Sequence, residues 1–492
     1  MKAISLEKIT ALFMGTDLRQ RSAEGTDLSS LTGQVVTRVA TDSREAGPSC
    51  LFVALKGERF DGHDFVPQAL AQGAAAALVC GDCIPALQGQ LDSACWNKLI
   101  SVPDTLLALG QLAGLLREEL SIPVIGITGS VGKTSTKDFT ACAFSPLGRV
   151  ARTKLNFNNE IGLPLTVLSV EEQDRALVGE MGMRGLGEIQ YLAEILKPDV
   201  GIITNIGVSH IERLGSRENI MLAKTEICFG MAEGSTLLVF GGDGTQDKEI
   251  TRDMIRTRVA SFQKNIQVKF FGTNPACDFW ANEISIGKDG TPTFRFHPGG
   301  YRVSLQVAGL HNVNNALAAL AAAYTYGVPM EQAVSQVEAY QGDSVRQHIL
   351  QVHGITIIDD TYNAGPESMQ AALAVLGTLP GITRKIAVLG SMLELGSASK
   401  AAHEAVCRAA VQNGIDILIA VGDTWGQSTA DCPIAQKINC GSWKEAIPAI
   451  RYFCGDRVGK IGRTGDGFLV KGSHAMHMDE IVKVLTEGES AK

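Results

Sequence analysis

Short apolar runs recur along this chain, most closed by a glycine, an asparagine or an acidic residue, and amphipathic stretches separate them. From residue 122 onward the pattern predicts strands over 122–128, 176–181, 200–206 and 235–240, and helices over 133–144, 187–196 and 217–230. Strand and helix in strict alternation imply a mostly parallel sheet with helices on both faces. Residues 266–308 break the rhythm with short β-rich pieces and Gly and Pro turns, which predicts an antiparallel addition. An Ala-rich helix over 311–326 follows, closed by Gly327 and Pro329. A further alternating region starts near residue 347, with strands over 354–359, 385–390, 416–421 and 467–471. Its helices fall over 366–377, 400–412, 443–453 and 477–486.

The first 118 residues are also α/β in pattern, with a strand over 51–57, a polar, turn-rich loop over 59–65, and a helix running into a strand over 69–79. At 492 residues the chain exceeds one ordinary domain. The expected fold is α/β in three domains: 1–118, a central parallel-sheet domain over 119–344, and a Rossmann-like domain over 345–492.

Composition narrows the function classes. A net charge of −8 and a pI near 5.7 argue against a nucleic-acid partner, because such proteins draw affinity from basic residues on phosphates. No uncharged apolar run approaches ~18 residues, so no membrane span is expected. Lys2, Glu7 and Lys8 interrupt the first apolar pieces, so no secretory leader is expected either, and the cytoplasm is the expected compartment. Eleven cysteines are scattered without a framework, and Cys80-Gly-Asp-Cys83 has no second pair, which favours reduced thiols over a zinc site.

The chemistry concentrates in Gly129-Ser130-Val131-Gly132-Lys133-Thr134-Ser135, which joins an apolar strand to a helix start. Backbone N–H groups, the helix dipole and Lys133 together form a phosphate cradle, and Thr134 offers a hydroxyl to Mg²⁺. The strict P-loop has a glycine where this chain has Ile127, so the loop is a variant. The next two strands end in Glu180 and in Thr204-Asn205-Ile206-Gly207-Val208-Ser209-His210. Ligands of open α/β sheets bind beyond such ends, which makes Glu180 and His210 candidates for Mg²⁺ or phosphate. Either could equally be an ordinary loop residue, and Lys224, fourteen positions after His210, could be a solvated helix lysine. Asn156, Asn158 and Asn159 suit turns, and also hydrogen bonds to a substrate. His311-Asn312-Val313-Asn314-Asn315 opens a helix, so one asparagine can be a plain N-cap. Asp359-Asp360-Thr361-Tyr362-Asn363 puts paired carboxylates at a strand end, suggesting ribose or metal contact, and Lys471-Gly472-Ser473-His474 could meet an anion.

Taken in order, these motifs resemble the Mur ligase family, the ATP-dependent amino-acid ligases of peptidoglycan precursor synthesis. Thr41-Asp42-Ser43-Arg44, Val388 to Gly396 and Val470 to Ser473 extend the resemblance over nearly the whole chain. It implies that Lys133 and the loop amides of Gly129 to Ser135 hold ATP phosphates, and that Thr134 and Glu180 hold one Mg²⁺. It implies a second Mg²⁺ at His210 and at Lys224, the latter carbamylated. Asn315 would contact adenine, Asp360 ribose and Arg346 the γ-phosphate. Ser43 and Arg44 would hold the UDP end, while Asn158, Asn159, Tyr362 and Asn363 would contact substrate. The Tyr362-Asn363 loop resembles the version found where D-alanyl-D-alanine is added to UDP-N-acetylmuramoyl-tripeptide, and a monomeric enzyme is implied.

The family's third-residue-adding members carry an Asp-Asn-Pro-Arg run, which is absent here. The UDP-type N-terminal region disfavours a folate-modifying relative. A guanine-nucleotide switch would need Asn-Lys-x-Asp, and Asn97-Lys98-Leu99-Ile100 lacks the aspartate. A non-catalytic nucleotide-binding homologue is opposed by intact Lys133, Thr134, Glu180, His210 and Lys224. Gly365, Ser391 and His474 depart from the family pattern, all in the expected acceptor domain.

Overall fold

The computed structural model describes residues 1–13, 33–242, 249–342, 348–457 and 460–487. A nine-stranded sheet forms the middle of the molecule. Val124–Thr128 runs inside it, with Asp174–Glu180 parallel on one side and Val200–Ile203 parallel on the other. Every residue of Val124–Thr128 is buried, because helices cover both faces. Successive side chains point to opposite faces. Ile125 and Ile127 therefore pack with Phe139, Phe144, Ala316 and Leu320, and Val124 packs on the other side with Leu177, Leu192 and Ile203. The helix His311–Tyr326 buries Ala316, Ala318, Ala319, Ala321, Ala322 and Ala323. Their small side chains let it lie close against Lys133–Phe144.

The C-terminal sheet has six strands in the order His348–Val352, Ile355–Asp360, Asp466–Lys471, Arg384–Gly390, Ile417–Val421, Gln436–Cys440. All but the first are parallel. The N-terminal region holds a four-stranded parallel sheet of Arg38–Ala40, Cys50–Val53, Ala76–Cys80 and Leu99–Val102.

Four expectations change. Within 266–308, Pro292–His297 does pair antiparallel with Phe279–Ile286 and Tyr301–Ser304, but Gln267–Gly272 is parallel to both of its neighbours and extends the main sheet. The strand expected over 51–57 ends at Val53, and the helix expected over 217–230 tightens into a 3₁₀ turn at Glu226–Phe229. The strand expected over 200–206 stops at Ile203, which frees Thr204 and Asn205 to turn onto the phosphate loop.

All eleven cysteines are free thiols, and burial pushes Cys228 and Cys454 up to about 12. Asp61, His63 and Cys83 bring ligand atoms within 4.8 Å of one another. The imidazole is already committed, however: Nε2 accepts from the Cys80 N–H at 2.9 Å and Nδ1 faces Asp61 Oδ1 at 2.6 Å. Among the described residues, no helix is long and apolar enough to cross a membrane.

Candidate functional site

The loop after Val124–Thr128 needs its glycines for conformation and for space. Gly129 has φ +151° and Gly132 has φ +84°, a region that L side chains rarely adopt. A Cβ on Gly129 would overlap the Thr204 hydroxyl, and one on Gly132 would lie 2.6 Å from Asn315 Oδ1. The loop is clamped from the neighbouring strand end. Asn205 Oδ1 accepts from the N–H of Ser130 at 3.0 Å and of Val131 at 2.9 Å, while the Thr204 hydroxyl donates to Val131 O. The Gly207 N–H donates to Ser130 Oγ at 2.9 Å.

Lys133 opens the helix Lys133–Phe144 and folds back, Nζ donating to Gly129 O at 2.7 Å. Its charge thus sits over the loop, where the helix dipole also favours an anion. Thr134 donates through Oγ1 to Glu180 Oε2 at 2.9 Å, and Asn158 Nδ2 donates to Glu180 Oε1 at 2.8 Å. Glu180 is 1% exposed, so these two bonds hold a desolvated carboxylate at the strand end. Asn158 joins the site in this way. Asn159 caps a turn instead, its Oδ1 accepting from the Gly162 N–H at 2.9 Å.

Lys224 is 1% exposed, not a solvated helix lysine. Burial, reinforced by the Lys133 charge, drives its pKa well below the usual lysine range, and the charge of Glu367 opposes that shift. His210 caps the short helix Ile211–Leu214 with φ +64°, and its Nδ1 lies 2.7 Å from Glu394 Oε2 of the C-terminal region. Burial first, then Lys133, lowers the His210 pKa, so the neutral imidazole is favoured.

The loop opens on a cavity of about 490 Å³ between the central and C-terminal sheets, a size that suits a small-molecule ligand. Ser130 to Ser135, His311, Asn312, Asn315, Asp360, Tyr362, Asn363 and Lys471 line it. Asn315 is held by Thr136 Oγ1 at 3.2 Å and donates to Asn312 Oδ1 at 3.0 Å. The expected pairing of Asp359 with Asp360 is split. Asp359 turns onto the Thr361 hydroxyl at 2.7 Å, whereas Asp360 forms a 2.6 Å ion pair with buried Lys471, its neighbour across the parallel strands. Lys471, expected to face an anionic ligand, instead meets this carboxylate and the Asn363 carbonyl at 2.8 Å.

Ser43 and Arg44 lie elsewhere, beside the four-stranded sheet and outside this cavity. Arg44 Nε donates to Asp42 Oδ1 at 2.9 Å, and Ser43 Oγ donates to Gln68. Arg346 lies outside the described residues. Of the three departures, Gly365 caps the helix Pro366–Thr378 with nothing nearer its Cβ position than Ser209 Oγ at 3.7 Å. Ser391 is buried and accepts from Thr424 Oγ1 at 2.6 Å, and His474 is exposed, its ring 6.1 Å from that of Tyr362. Reasoning from sequence gave no role to Thr204, Asn205, Glu367 or Glu394. Only the position of Thr204 and Asn205 at a strand end next to the glycine loop could have hinted at theirs.

Comparison with known proteins follows the same three regions. Residues 35–116 match the Mur ligase family catalytic domain, 127–323 the Mur ligase middle domain, and 345–474 the Mur ligase glutamate ligase domain. A Bacillus subtilis protein named UDP-N-acetylmuramoyl-tripeptide–D-alanyl-D-alanine ligase is 36% identical, covering 92% of this chain and 94% of its own length. The Escherichia coli protein of that name is 33% identical, covering 96% and 97%. A crystal structure of MurF from Acinetobacter baumannii superposes with a TM-score of 0.80 at 33% identity, covering 92% of this chain and 94% of that one. MurF from Thermotoga maritima in complex with ADP gives 0.74 at 27% identity, covering 91% and 96%. The chain belongs to the Mur ligase family.

Proposed function

We propose that this protein is an ATP-dependent ligase of peptidoglycan precursor synthesis, joining the terminal carboxylate of UDP-N-acetylmuramoyl-tripeptide to the amine of D-alanyl-D-alanine. One observation carries the reading: Lys133 and Thr134, the latter bonded to Glu180, line a cavity that Asp360, Tyr362 and Lys471 of the C-terminal region also line. A phosphate cradle facing a second domain suits chemistry that needs ATP and an acceptor brought together. The relatives named for this reaction, matched over almost their whole length, support the choice of substrates.

A carboxylate acylates poorly because oxide is a hopeless leaving group. Transfer of the γ-phosphoryl group gives an acyl phosphate and ADP, and amine attack then expels phosphate. The first step sets an anionic carboxylate against an anionic phosphate. Lys133 and the N–H groups of the helix start at Lys133 would stabilise the charge on that phosphate, while Asn205, which takes the Ser130 and Val131 N–H groups, and Thr204 keep the loop rigid for it. Asn315 and Asp360, both on the cavity wall, would contact adenine and ribose.

Mg²⁺ fits the donors present. The Thr134 hydroxyl and the Glu180 carboxylate are hard oxygen ligands already held together. Lys224 fits a second ion only after losing its positive charge. Its burial beside Lys133 favours the free amine, which can add CO₂ to become an anionic carbamate, and neutral His210 supplies the other ligand. Bound there, Mg²⁺ screens the repulsion between carboxylate and phosphate. Residues 1–118 would hold the UDP end through Ser43 and Arg44, 119–344 the ATP, and 345–492 the dipeptide. The soluble, nucleotide-linked substrates of this reading support a cytoplasmic location.

Phosphate release from ATP with UDP-N-acetylmuramoyl-tripeptide tests this reading. Sustained release that needs D-alanyl-D-alanine supports it. Equal release without the dipeptide, or with any amino acid in its place, would overturn it.

A further inference from the structure

The ligation needs one group that the phosphate machinery does not supply. A dipeptide amine is largely protonated at neutral pH, since an α-amino group titrates near ~7.7–8.0. An ammonium has no lone pair to attack with. The carboxylates around the cleft can be taken in turn. Glu180 accepts with both oxygens, from Thr134 and Asn158. Asp360 is paired with Lys471, and Glu394 with His210. Asp138 sits between Lys137 and Arg152, each 3.5 Å away.

Glu367 differs. It stands in the first turn of Pro366–Thr378 and reaches across to the central domain, where Oε1 accepts from the Val208 N–H at 3.2 Å. Its other oxygen, Oε2, is buried and has no hydrogen-bond partner among the described residues. Such an oxygen is costly unless some group arrives to donate to it. The site lies beside the phosphate loop: a Cβ on Gly207 would overlap Glu367 Oε1 and lie 3.3 Å from Ser130 Cβ. Glu367 also lines the 490 Å³ cavity, on the side from which the C-terminal domain would present an acceptor.

We propose that Glu367 receives the ammonium of the incoming dipeptide at Oε2 and takes its proton. This deepens the ligase reading and rests on it. The ammonium gives one proton to the carboxylate, leaving a neutral amine and a carboxylic acid. The nitrogen lone pair forms the C–N bond at the acyl carbon. The C–O bond to phosphate then breaks, with its electrons leaving on the phosphate. The second nitrogen proton goes to that phosphate, and Glu367 returns its own proton to water.

The test uses E367Q in the full-length protein, with two nucleophiles. The amide oxygen of Gln still accepts from Val208, so a purely structural role is preserved. Hydroxylamine is largely neutral at neutral pH and traps an acyl phosphate as a hydroxamate without needing a base. The proposal expects E367Q to lose about a hundredfold in kcat with D-alanyl-D-alanine, within the range of general-base catalysis, and to keep the wild-type rate of hydroxamate formation. Wild-type turnover with the dipeptide would overturn it. Equal loss with both nucleophiles would also overturn it, by assigning Glu367 to the first step or to domain docking. Hydroxamate formation by the unsubstituted enzyme, dependent on ATP and UDP-N-acetylmuramoyl-tripeptide, tests the ligase reading itself. Its absence would sink that reading and this one together.

Discussion

The two walls of the cleft are built differently. On the central wall the polar groups of the glycine loop are committed: the Ser130 and Val131 N–H groups to Asn205, Thr134 and Asn158 to Glu180, Lys133 to the Gly129 carbonyl, although Asn314 Oδ1 on the same wall has no partner among the described residues. Its glycines leave no room for a methyl group. The C-terminal wall is looser. Around Gly365 only Ser209 Oγ, at 3.7 Å, comes within 4 Å of the Cβ position, and one oxygen of Glu367 has no partner among the described residues. The difference suits the two ligands. Phosphoryl transfer depends on charge stabilisation by groups fixed in advance. Under the ligase reading proposed above, the C-terminal wall would admit and release a small peptide, and Glu367 Oε2 is a group that such a peptide could satisfy.

The comparison breaks most sharply at Lys133. Lys133→Ala should cost about 3–4 kcal/mol of transition-state stabilisation, a hundredfold or more in rate, in a protein that still folds. Steady-state kinetics with circular dichroism checks this, and near wild-type turnover would remove Lys133 from the phosphate site. Lys224 comes next. Lys224→Arg should be inactive, because arginine keeps its positive charge and cannot form a carbamate. Lys224→Ala should recover part of its rate with added acetate or formate. Normal turnover by the arginine variant would end the carbamate reading.

A paired substitution then sharpens the contrast between walls. Gly129→Ala forces a side chain into the Thr204 hydroxyl at φ +151° and should abolish ATP binding. Gly365→Asn, at φ −147° with only Ser209 Oγ within 4 Å of the Cβ position, should leave the ATP KM alone and change only that of the dipeptide. Isothermal titration with ATP and dipeptide kinetics separate the two, and equal effects on ATP would mean the walls are not distinct. Smallest in catalytic effect should be Asp360→Asn. It strands the buried Lys471 ammonium, costs about 3–5 kcal/mol of stability by urea unfolding, and raises the ATP KM more than it lowers kcat. An unchanged unfolding midpoint would show that the ion pair contributes nothing.

How much of this was legible follows the same division. The conformation of the glycine loop reads directly from sequence because its parts are contiguous and Gly129 and Gly132 take positive φ. Apolar runs marked the buried strands, but His348–Val352 and Gln436–Cys440 lie at sheet edges, with few buried side chains, and carry no such run. Strand direction is not encoded in the apolar pattern, so Gln267–Gly272 was expected antiparallel and is parallel. Glu367 and Glu394 were missed because their contacts span 159 and 184 residues of sequence. A glutamate in a first helical turn has an ordinary local explanation in the helix dipole. Lys224 was legible only through the family resemblance, since burial of a lysine at the end of Arg217–Thr225 depends on what packs over that helix.

Under the proposed reaction the tripeptide carboxylate becomes an acyl phosphate in this cleft. Oxygen labelling addresses it most directly. UDP-N-acetylmuramoyl-tripeptide carrying ¹⁸O in its terminal carboxylate is turned over with ATP and D-alanyl-D-alanine, and the released phosphate is analysed by mass spectrometry. An acyl phosphate intermediate leaves one labelled oxygen in the phosphate and none in the nucleotide. Label in AMP, or unlabelled phosphate alongside full ligation, would contradict it.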